Sequence, residues 1–281
     1  MRDAAEIAPE TLTRLPLTRR EELVRDQLAQ LPHGTRRFAD AGLPVRAGAT
    51  GSGETLLVLT WSAADLARER AAGARVLARL GVAAGMRVAN TLPGALATPG
   101  ALLLGDVIEE LGALDVPLGV IENETAARQA WELVDRVQPA VMILEPMPAA
   151  RLFAVAPAAA RPWWQGIIWL QRSAAPVQSP ALPDGAGFQG WQRTWLAVPE
   201  ATSFVASSCA LSRFHVDEGV VAEIVDDATG EALPPERGGT LALTPLGVDT
   251  PVMRYASGVR ARAISAPCAC GTGGLVLELP S

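Results

Sequence analysis

Residues 86–145 read MRVANTLPGALATPGALLLGDVIEELGALDVPLGVIENETAARQAWELVDRVQPAVMILE, and this stretch decides the fold. Short apolar runs alternate in it with longer runs that are apolar at every third or fourth residue. The pattern predicts strands over 86–92, 116–121 and 140–145 and helices over 100–112 and 125–138. Strands that alternate with helices through short connections are typical of a mostly parallel sheet covered by helices, so we predict an α/β fold.

The residues before this stretch extend the same alternation. The apolar run LLVLTW at 56–61 predicts a strand, and a Gly-rich turn, AGATGSGET, precedes it at 47–55. Ser62 is placed to cap a helix over 62–81, which has clear helical periodicity and ends at a glycine. Further upstream, residues 10–31 predict a pair of helices.

Residues 146–190 differ from both flanks because they are rich in Pro and Ala, and they predict loops around one buried strand at 166–170. The chain then becomes rich in strand patterns separated by Asp, Gly and Pro turns. Strands are predicted over 194–198, 219–226, 238–246, 251–258, 259–265 and 274–279. The predicted organisation is an α/β portion over 1–208 and a smaller antiparallel β-rich subdomain over 209–281.

Four potential metal ligands lie in the C-terminal part of the chain. The chain has three cysteines and two histidines, and four of these five residues are Cys209, His215, Cys268 and Cys270. Three thiolates and one imidazole complete a tetrahedral zinc shell and leave no position for water, so we predict a structural zinc site. The alternative is three unrelated buried thiols and a surface histidine. Metal thiolates fit a reducing compartment, which predicts a cytoplasmic protein.

The charge composition excludes several classes of partner. The net charge is −6, and the arginines are dispersed among acids, so no basic patch for nucleic acid or an anionic membrane is expected. All 24 basic residues are arginine, which excludes a lysine that holds phosphate or forms a Schiff base. The N-terminus has no apolar run typical of a secretion signal.

Three segments carry a resemblance to a known family. Residues 215–258, HVDEGVVAEIVDDATGEALPPERGGTLALTPLGVDTPVMRYASG, resemble the phenylacetate–CoA ligase branch of the adenylate-forming enzymes. LPLTRREELVRD at 15–26 and the helix over 62–81 with its following strand resemble the same branch. Its zinc site also has a Cys and a His followed by C-x-C-G. The resemblance implies the N-terminal domain of an adenylate-forming enzyme, with mostly parallel sheets, covering helices and a small antiparallel β subdomain.

The resemblance also implies a chemistry and a set of site residues. Such enzymes activate a small or aromatic carboxylic acid with ATP and Mg²⁺, and a thiol such as coenzyme A then takes the acyl group. By resemblance, Glu200 is the carboxylate on the Mg²⁺ side, and Arg172 is the second candidate for catalytic chemistry. The matching phosphate loop is Thr50, Gly51, Ser52 and Gly53. The matching acyl pocket is Leu92, Gly94, Leu96, Thr98 and Trp195.

The chain departs from the family pattern at positions that bind nucleotide. Glu54 places negative charge in the phosphate loop, Leu196 replaces an aromatic residue, and Val259 replaces the aspartate that holds the ribose. We also expect the family's C-terminal domain, with its lysine, to be absent. ATP and Mg²⁺ are therefore disfavoured. The pattern predicts a repurposed protein, in secondary metabolism, that binds a small aromatic or acyl substrate without ATP, with or without transforming it.

Two other functions remain open. One is ATP-dependent adenylation of an aromatic acid, with a partner chain supplying the missing groups, and it predicts nucleotide binding. The other is a non-catalytic scaffold or one subunit of a heterodimer, and it predicts an exposed apolar face without ligand affinity. The family also pairs, so a homodimer is a further expectation.

Overall fold

The computed structural model describes residues 12–38, 40–92, 98–172, 182 and 188–280. Its strands are β1 Pro44–Thr50, β2 Leu57–Ser62, β3 Arg87–Asn90, β4 Leu114–Pro117, β5 Val141–Leu144, β6 Gly166–Gln171, β7 Trp191–Val198, β8 Thr202–Ser208, β9 Phe214–Val216, β10 Val220–Val225, β11 Gly238–Pro245, β12 Tyr255–Ile264 and β13 Val276–Glu278. Its helices are α1 Arg20–Ala29, α2 Ala63–Arg79, α3 Pro99–Leu102, α4 Leu104–Glu110, α5 Glu124–Val137 and α6 Pro146–Ala154.

Two sheets account for these strands. An 11-stranded sheet has the order β10-β11-β12-β13-β9-β8-β7-β6-β5-β3-β4, and β1 pairs with β2 in a separate antiparallel ribbon. The neighbours from β4 to β7 are parallel, and those from β7 to β10 are antiparallel. The predicted α/β class is confirmed. The predicted division at 208/209 falls between β8 and β9, which pair with each other, and it stays a prediction.

Helix α2 begins and ends where the sequence predicts. The Ser62 hydroxyl accepts a hydrogen bond from the Asp65 amide at 3.1 Å, and the Asp65 carboxylate accepts one from the Ser62 amide at 2.9 Å. The helix packs closely on β8 because Gly73 faces Phe204, and a Cβ at Gly73 would lie 2.8 Å from that ring. This close approach fixes the helix face that lines the candidate site.

Several local predictions were wrong. Residues Pro146–Ala154 form helix α6 instead of a loop. A proline is tolerated in the first turn of a helix because the amides there have no hydrogen-bond partner within the helix. The Gly-rich segment expected to be a turn contributes β1, and the helix expected over 100–112 is divided into two at Leu103. Strands β8 and β9 were not predicted.

No helix in the described part of the chain is both long enough and apolar enough to cross a bilayer.

Candidate functional site

The predicted phosphate loop connects β1 to β2 and is occupied by an arginine side chain. Arg20 is the first residue of α1, and its Nη2 donates hydrogen bonds to the Thr50 carbonyl at 2.8 Å and the Thr55 carbonyl at 2.8 Å. The same nitrogen lies 3.1 Å from the Thr50 hydroxyl. At Gly51, where φ is +74°, a Cβ would lie 2.5 Å from Arg20 Nη2. The guanidinium therefore fills the concave side of the loop.

The arginine also pairs with the predicted catalytic carboxylate. Arg20 Nη1 forms an ion pair with Glu200, which lies in the turn between β7 and β8 and is 10% exposed at its side chain. Burial and the negative charge of Glu200 raise the pKa of Tyr255 to about 12, with Arg20 opposing. The structure thus brings Glu200 beside the loop residues Thr50 and Gly51, with Arg20 between them. Glu54 is exposed.

A cavity of about 330 Å³ adjoins this network. One face of α2 forms a wall of it, with residues spaced three or four apart, and Pro199–Thr202, Asp217–Gly219 and the segment 245–252 form the rest. Trp61 and Phe204 contribute aromatic surface. Its volume and mixed lining are typical of a small-molecule site.

A buried glutamate lines the cavity. Glu69 of α2 is 8% exposed, and its carboxylate accepts a hydrogen bond from the Ser203 amide at 3.1 Å. Burial raises the pKa of Glu69 to about 7, against the opposing hydrogen bonds of Ser203 and Thr202. Such a carboxyl exchanges a proton near neutral pH, which is a property shared with general acids and bases.

The other charged groups in the cavity wall are paired. Asp65 forms an ion pair with Arg68. Asp217 is 1% exposed at its side chain and accepts two hydrogen bonds from Arg75, at 2.9 Å from Nε and 2.6 Å from Nη2. The pair of Arg75 and Asp217 holds α2 against the turn after β9, whereas Asp65 and Arg68 both belong to α2.

The described residues of the predicted acyl pocket lie elsewhere in the fold. Leu92 and Trp195 belong to one core cluster, and Trp195 stacks on Phe204 with ring centroids 4.7 Å apart. Thr98 is buried just before α3. Gly94 and Leu96 lie outside the described residues. Leu92, Thr98 and Trp195 do not line the cavity beside Glu69, and their role as substrate contacts stays a prediction.

The second predicted catalytic residue has a separate partner. Arg172 follows β6 and donates from Nε to the Glu145 carboxylate at 2.6 Å. Glu145 follows β5 and Glu200 follows β7, the two strands on either side of β6. Arg172 pairs with Glu145 and not with Glu200. The substituted positions Leu196 and Val259 are buried in the core of the β-rich part.

The four predicted metal ligands meet at one place. One ligand atom from each of Cys209, His215, Cys268 and Cys270 lies within 4.8 Å of the others. The Sγ atoms of Cys209 and Cys268 are 3.8 Å apart, and the Sγ of Cys270 lies 3.2 Å from His215 Nε2. Tight turns present these atoms, and the second contains Gly271 at a φ of +81°.

This group has the donor set and spacing for a tetrahedral metal ion. In a zinc site with Zn–S bonds of about 2.3 Å, neighbouring sulfur atoms lie roughly 3.8 Å apart. Hydrogen bonds from Thr272 lower the pKa of the Cys270 thiol to about 7, and burial lowers the pKa of His215. Both shifts favour the deprotonated forms that bind metals. The cluster could hold a metal between the β8–β9 and β12–β13 connections.

Sequence reasoning missed Arg20 and Glu69. Arg20 lies in TRREELVR, where alternating charges indicate a solvated helix face. Glu69 carried a usable signal, because it lies three residues after Leu66 and seven before Val76, within the apolar stripe of α2. A charged residue in such a stripe needs a partner or a function.

No protein-family model matches the chain, and no curated protein sequence matches it. Solved structures do. An open conformation of 2-hydroxyisobutyryl-CoA ligase, in complex with 2-HIB-AMP and CoA, is similar with a TM-score of 0.81 and 19% identity, over 95% of this chain and 63% of that one. The long-chain-fatty-acid-CoA ligase FadD1 from Archaeoglobus fulgidus has a TM-score of 0.58 and 12% identity, over 83% of this chain and 50% of that one.

O-succinylbenzoate coenzyme A synthetase (MenE) from Bacillus subtilis is similar with a TM-score of 0.56 and 12% identity, over 84% of this chain and 49% of that one. The chain thus spans less than two thirds of the length of these ligases. At these identities the likeness concerns the fold. The chain has the fold of the adenylate-forming acyl-CoA ligases.

Proposed function

We propose that this protein binds a small aromatic or acyl molecule in the cavity beside Glu69 and Glu200, without ATP. The observation that carries the proposal is the position of Arg20. Its guanidinium occupies the loop expected to hold phosphates and neutralises the carboxylate expected to face Mg²⁺.

Nucleotide binding would have to break this network. Nη2 of Arg20 already donates to two carbonyls of the loop, and Nη1 is paired with Glu200. Leaving the partly buried carboxylate of Glu200 without a cation costs free energy. Mg²⁺ would therefore have to take the place of Arg20 in order to bind Glu200. Glu54 adds a negative charge at the same loop, and the cation there, Arg20, is already paired with Glu200.

The cavity supports the ligand-binding part of the proposal. It combines aromatic and aliphatic walls with a few buried polar groups, and it opens beside the network of Arg20. The phenylacetate–CoA ligase branch, which the sequence resembles, is the parent we propose for this repurposed protein. We place it in secondary metabolism in the cytoplasm, as a homodimer or with a partner subunit.

We further propose zinc as the metal of the Cys209, His215, Cys268 and Cys270 cluster, in a structural role. A donor set of three thiolates and one imidazole selects zinc over harder ions such as Mg²⁺ or Ca²⁺. When bound, zinc would tie the β8–β9 turn to the β12–β13 turn. The residues leave no open position for substrate, so we assign it no part in chemistry.

ATP-dependent adenylation of an acid is the second candidate. It is favoured by the position of Arg20, which bonds both to the loop and to Glu200 and so keeps the two elements of a nucleotide site near each other. 2-Hydroxyisobutyryl-CoA ligase, with the same fold, was solved with 2-HIB-AMP and CoA. In this case Arg20 would leave the loop when nucleotide binds, and a partner chain would supply further groups.

Isothermal titration calorimetry on the zinc-loaded protein separates the two. We expect no heat from Mg-ATP, and binding of at least one of phenylacetate, phenylacetyl-CoA, phenethyl alcohol and phenethylamine in its absence. Micromolar binding of Mg-ATP would contradict the proposal and support adenylation. The variant Arg20→Ala, compared with the exposed Arg25→Ala on the same helix, shows whether Arg20 is what excludes the nucleotide.

A further inference from the structure

Glu69 is the acid in the cavity wall that has no arginine within ion-pair distance among the described residues, and Arg68 acts on it only at longer range. Four other acids line the cavity, and each has an arginine within ion-pair distance. The pairs are Asp65 with Arg68, Glu200 with Arg20, Asp217 with Arg75 and Arg79, and Glu218 with Arg75. The ionised cavity therefore carries one uncompensated negative charge, at Glu69.

The hydrogen bonds that Glu69 makes leave room for another donor. Its carboxylate accepts from the Ser203 amide at 3.1 Å, and the Thr202 hydroxyl also donates to it. A carboxylate has about four acceptor positions, so these donors do not saturate it. Burial of a carboxylate without a cation is costly, and a ligand that supplies a cation or a strong donor relieves that cost.

The remaining walls of the cavity suit an apolar body. Trp61, Ala72, Phe204, Leu246 and Val252 line it. The hydroxyl of Thr250, on the segment after β11, is buried and has no hydrogen-bond partner in the part of the chain that the structure describes. The site thus offers an acceptor at one wall, apolar surface, and a single free hydroxyl.

We infer that this cavity takes a small aromatic or aliphatic molecule carrying a protonated or hydrogen-bond-donating nitrogen, and that Glu69 binds that nitrogen. The inference rests on the proposed function and names the ligand class of the same cavity. It also disfavours carboxylic acids as ligands, because a ligand carboxylate in this position would be repelled by the negative charge of Glu69.

The arginines of the cavity do not offer a carboxylate an equal site. Arg75 is engaged by both oxygens of Asp217, at 2.9 and 2.6 Å, and Arg68 is paired with Asp65. A carboxylate ligand could reach only the donors that remain, such as Arg68 Nε, which is buried and has no hydrogen-bond partner among the described residues. There it would be repelled by the nearby charges of Asp65 and Glu69. An amine at Glu69 displaces no protein group.

Three probes of matched shape test the inference by calorimetry at pH 8, above the pKa of about 7 for Glu69: phenethylamine, phenethyl alcohol and phenylacetate. They are titrated into the unaltered protein and into Glu69→Gln, which keeps an oxygen for the Ser203 amide. Glu132→Gln, the same change at an exposed position of α5, is the control. We expect the amine to bind the unaltered protein at least about tenfold more tightly than it binds Glu69→Gln. On the unaltered protein, the amine should also bind more tightly than phenylacetate does. The alcohol should bind both proteins alike.

Three results would overturn the inference. Equal affinity of the amine for the unaltered protein and Glu69→Gln would remove Glu69 from recognition. Tighter binding of phenylacetate than of phenethylamine would show an acid site, while the proposed ligand-binding function would stand. Silence of all three probes would overturn the inference, and silence of phenylacetyl-CoA as well would overturn the proposed function. The comparison among probes on the unaltered protein does not depend on the folding of any variant.

Discussion

Arg20 and Glu200 form an ion pair although 180 residues separate them in the chain. The same guanidinium donates to the Thr50 carbonyl at 2.8 Å. One side chain therefore connects the start of α1, the loop between β1 and β2, and the turn between β7 and β8. Its guanidinium thereby occupies the side of the loop on which a phosphate is expected to lie.

Replacing Arg20 should lower the stability of the fold. In Arg20→Ala, Glu200 loses its cation at 10% side-chain exposure, and the loop carbonyls lose their donor. We expect the free energy of unfolding in urea to fall by about 1–3 kcal/mol, since both partners of the pair are only partly exposed. Arg25→Ala, on the exposed face of α1, should change it by less than about 0.5 kcal/mol. Equal losses in the two variants would show that the network adds nothing.

Glu69 should make stability depend on pH in a defined direction. Its pKa is raised from 4.5 to about 7 in the folded protein, so the folded state holds a proton that the unfolded state has released. The stabilisation present below pH 4.5 is therefore lost as pH rises through 7. Asp65 and Arg68 face Glu69 from the same helix, and β8 contributes the uncharged Ser203 and Thr202.

The measurement is the free energy of unfolding from pH 5 to pH 8 for the unaltered protein and Glu69→Gln. Because other groups titrate alike in both, the unaltered protein should lose roughly 2–3 kcal/mol relative to the variant over this range. Parallel curves would mean that the carboxyl is ionised throughout.

Replacing His215 should lower the zinc content of the protein, whereas replacing His33 should not. His215→Ala removes one ligand of the Cys3His cluster, whereas His33 lies in another loop, 3.3 Å from the Thr60 hydroxyl. Plasma emission spectrometry should find about one zinc per chain in the unaltered protein and in His33→Ala, and much less in His215→Ala.

Zinc should also stabilise the fold by mass action. At a free zinc concentration about a hundredfold above its Kd, the unaltered protein should gain about 3 kcal/mol over the chelated form, and His215→Ala should gain far less. Full stability after complete removal of zinc would contradict a structural role.

Trp195 should behave as a core residue. It is fully buried, stacks on Phe204 at 4.7 Å, and donates from Nε1 to the Ser203 carbonyl at 2.8 Å. Trp195→Phe should cost about 2–3 kcal/mol, because it leaves a small void and an unpaired carbonyl. Ligand affinity should change by less than about threefold. Trp163→Phe, at a half-buried position, is the control for the same change. Lost binding with unchanged stability would instead support the predicted substrate contact.

Much of the fold was readable from periodicity. Helix α2 with its Ser62 cap and the buried strand β6 were predicted because local pattern and tertiary burial agree there. Strand β8, TSFVASS, was missed because its small and hydroxyl residues have no apolar alternation, yet it is buried at every position between β7 and β9. Its neighbours, and not its own propensity, make it a strand.

The sequence by itself determined the α/β alternation and the identity of the four candidate metal ligands, since few cysteines and histidines leave few combinations. Only the tertiary structure decided what surrounds Glu69 and Arg20. Ser203, which donates to Glu69, lies 134 residues away, and Glu200 lies 180 residues from Arg20. A charge in a sequence has the same formal value in water or in a cavity. Its partners and its desolvation exist only once distant segments have packed around it.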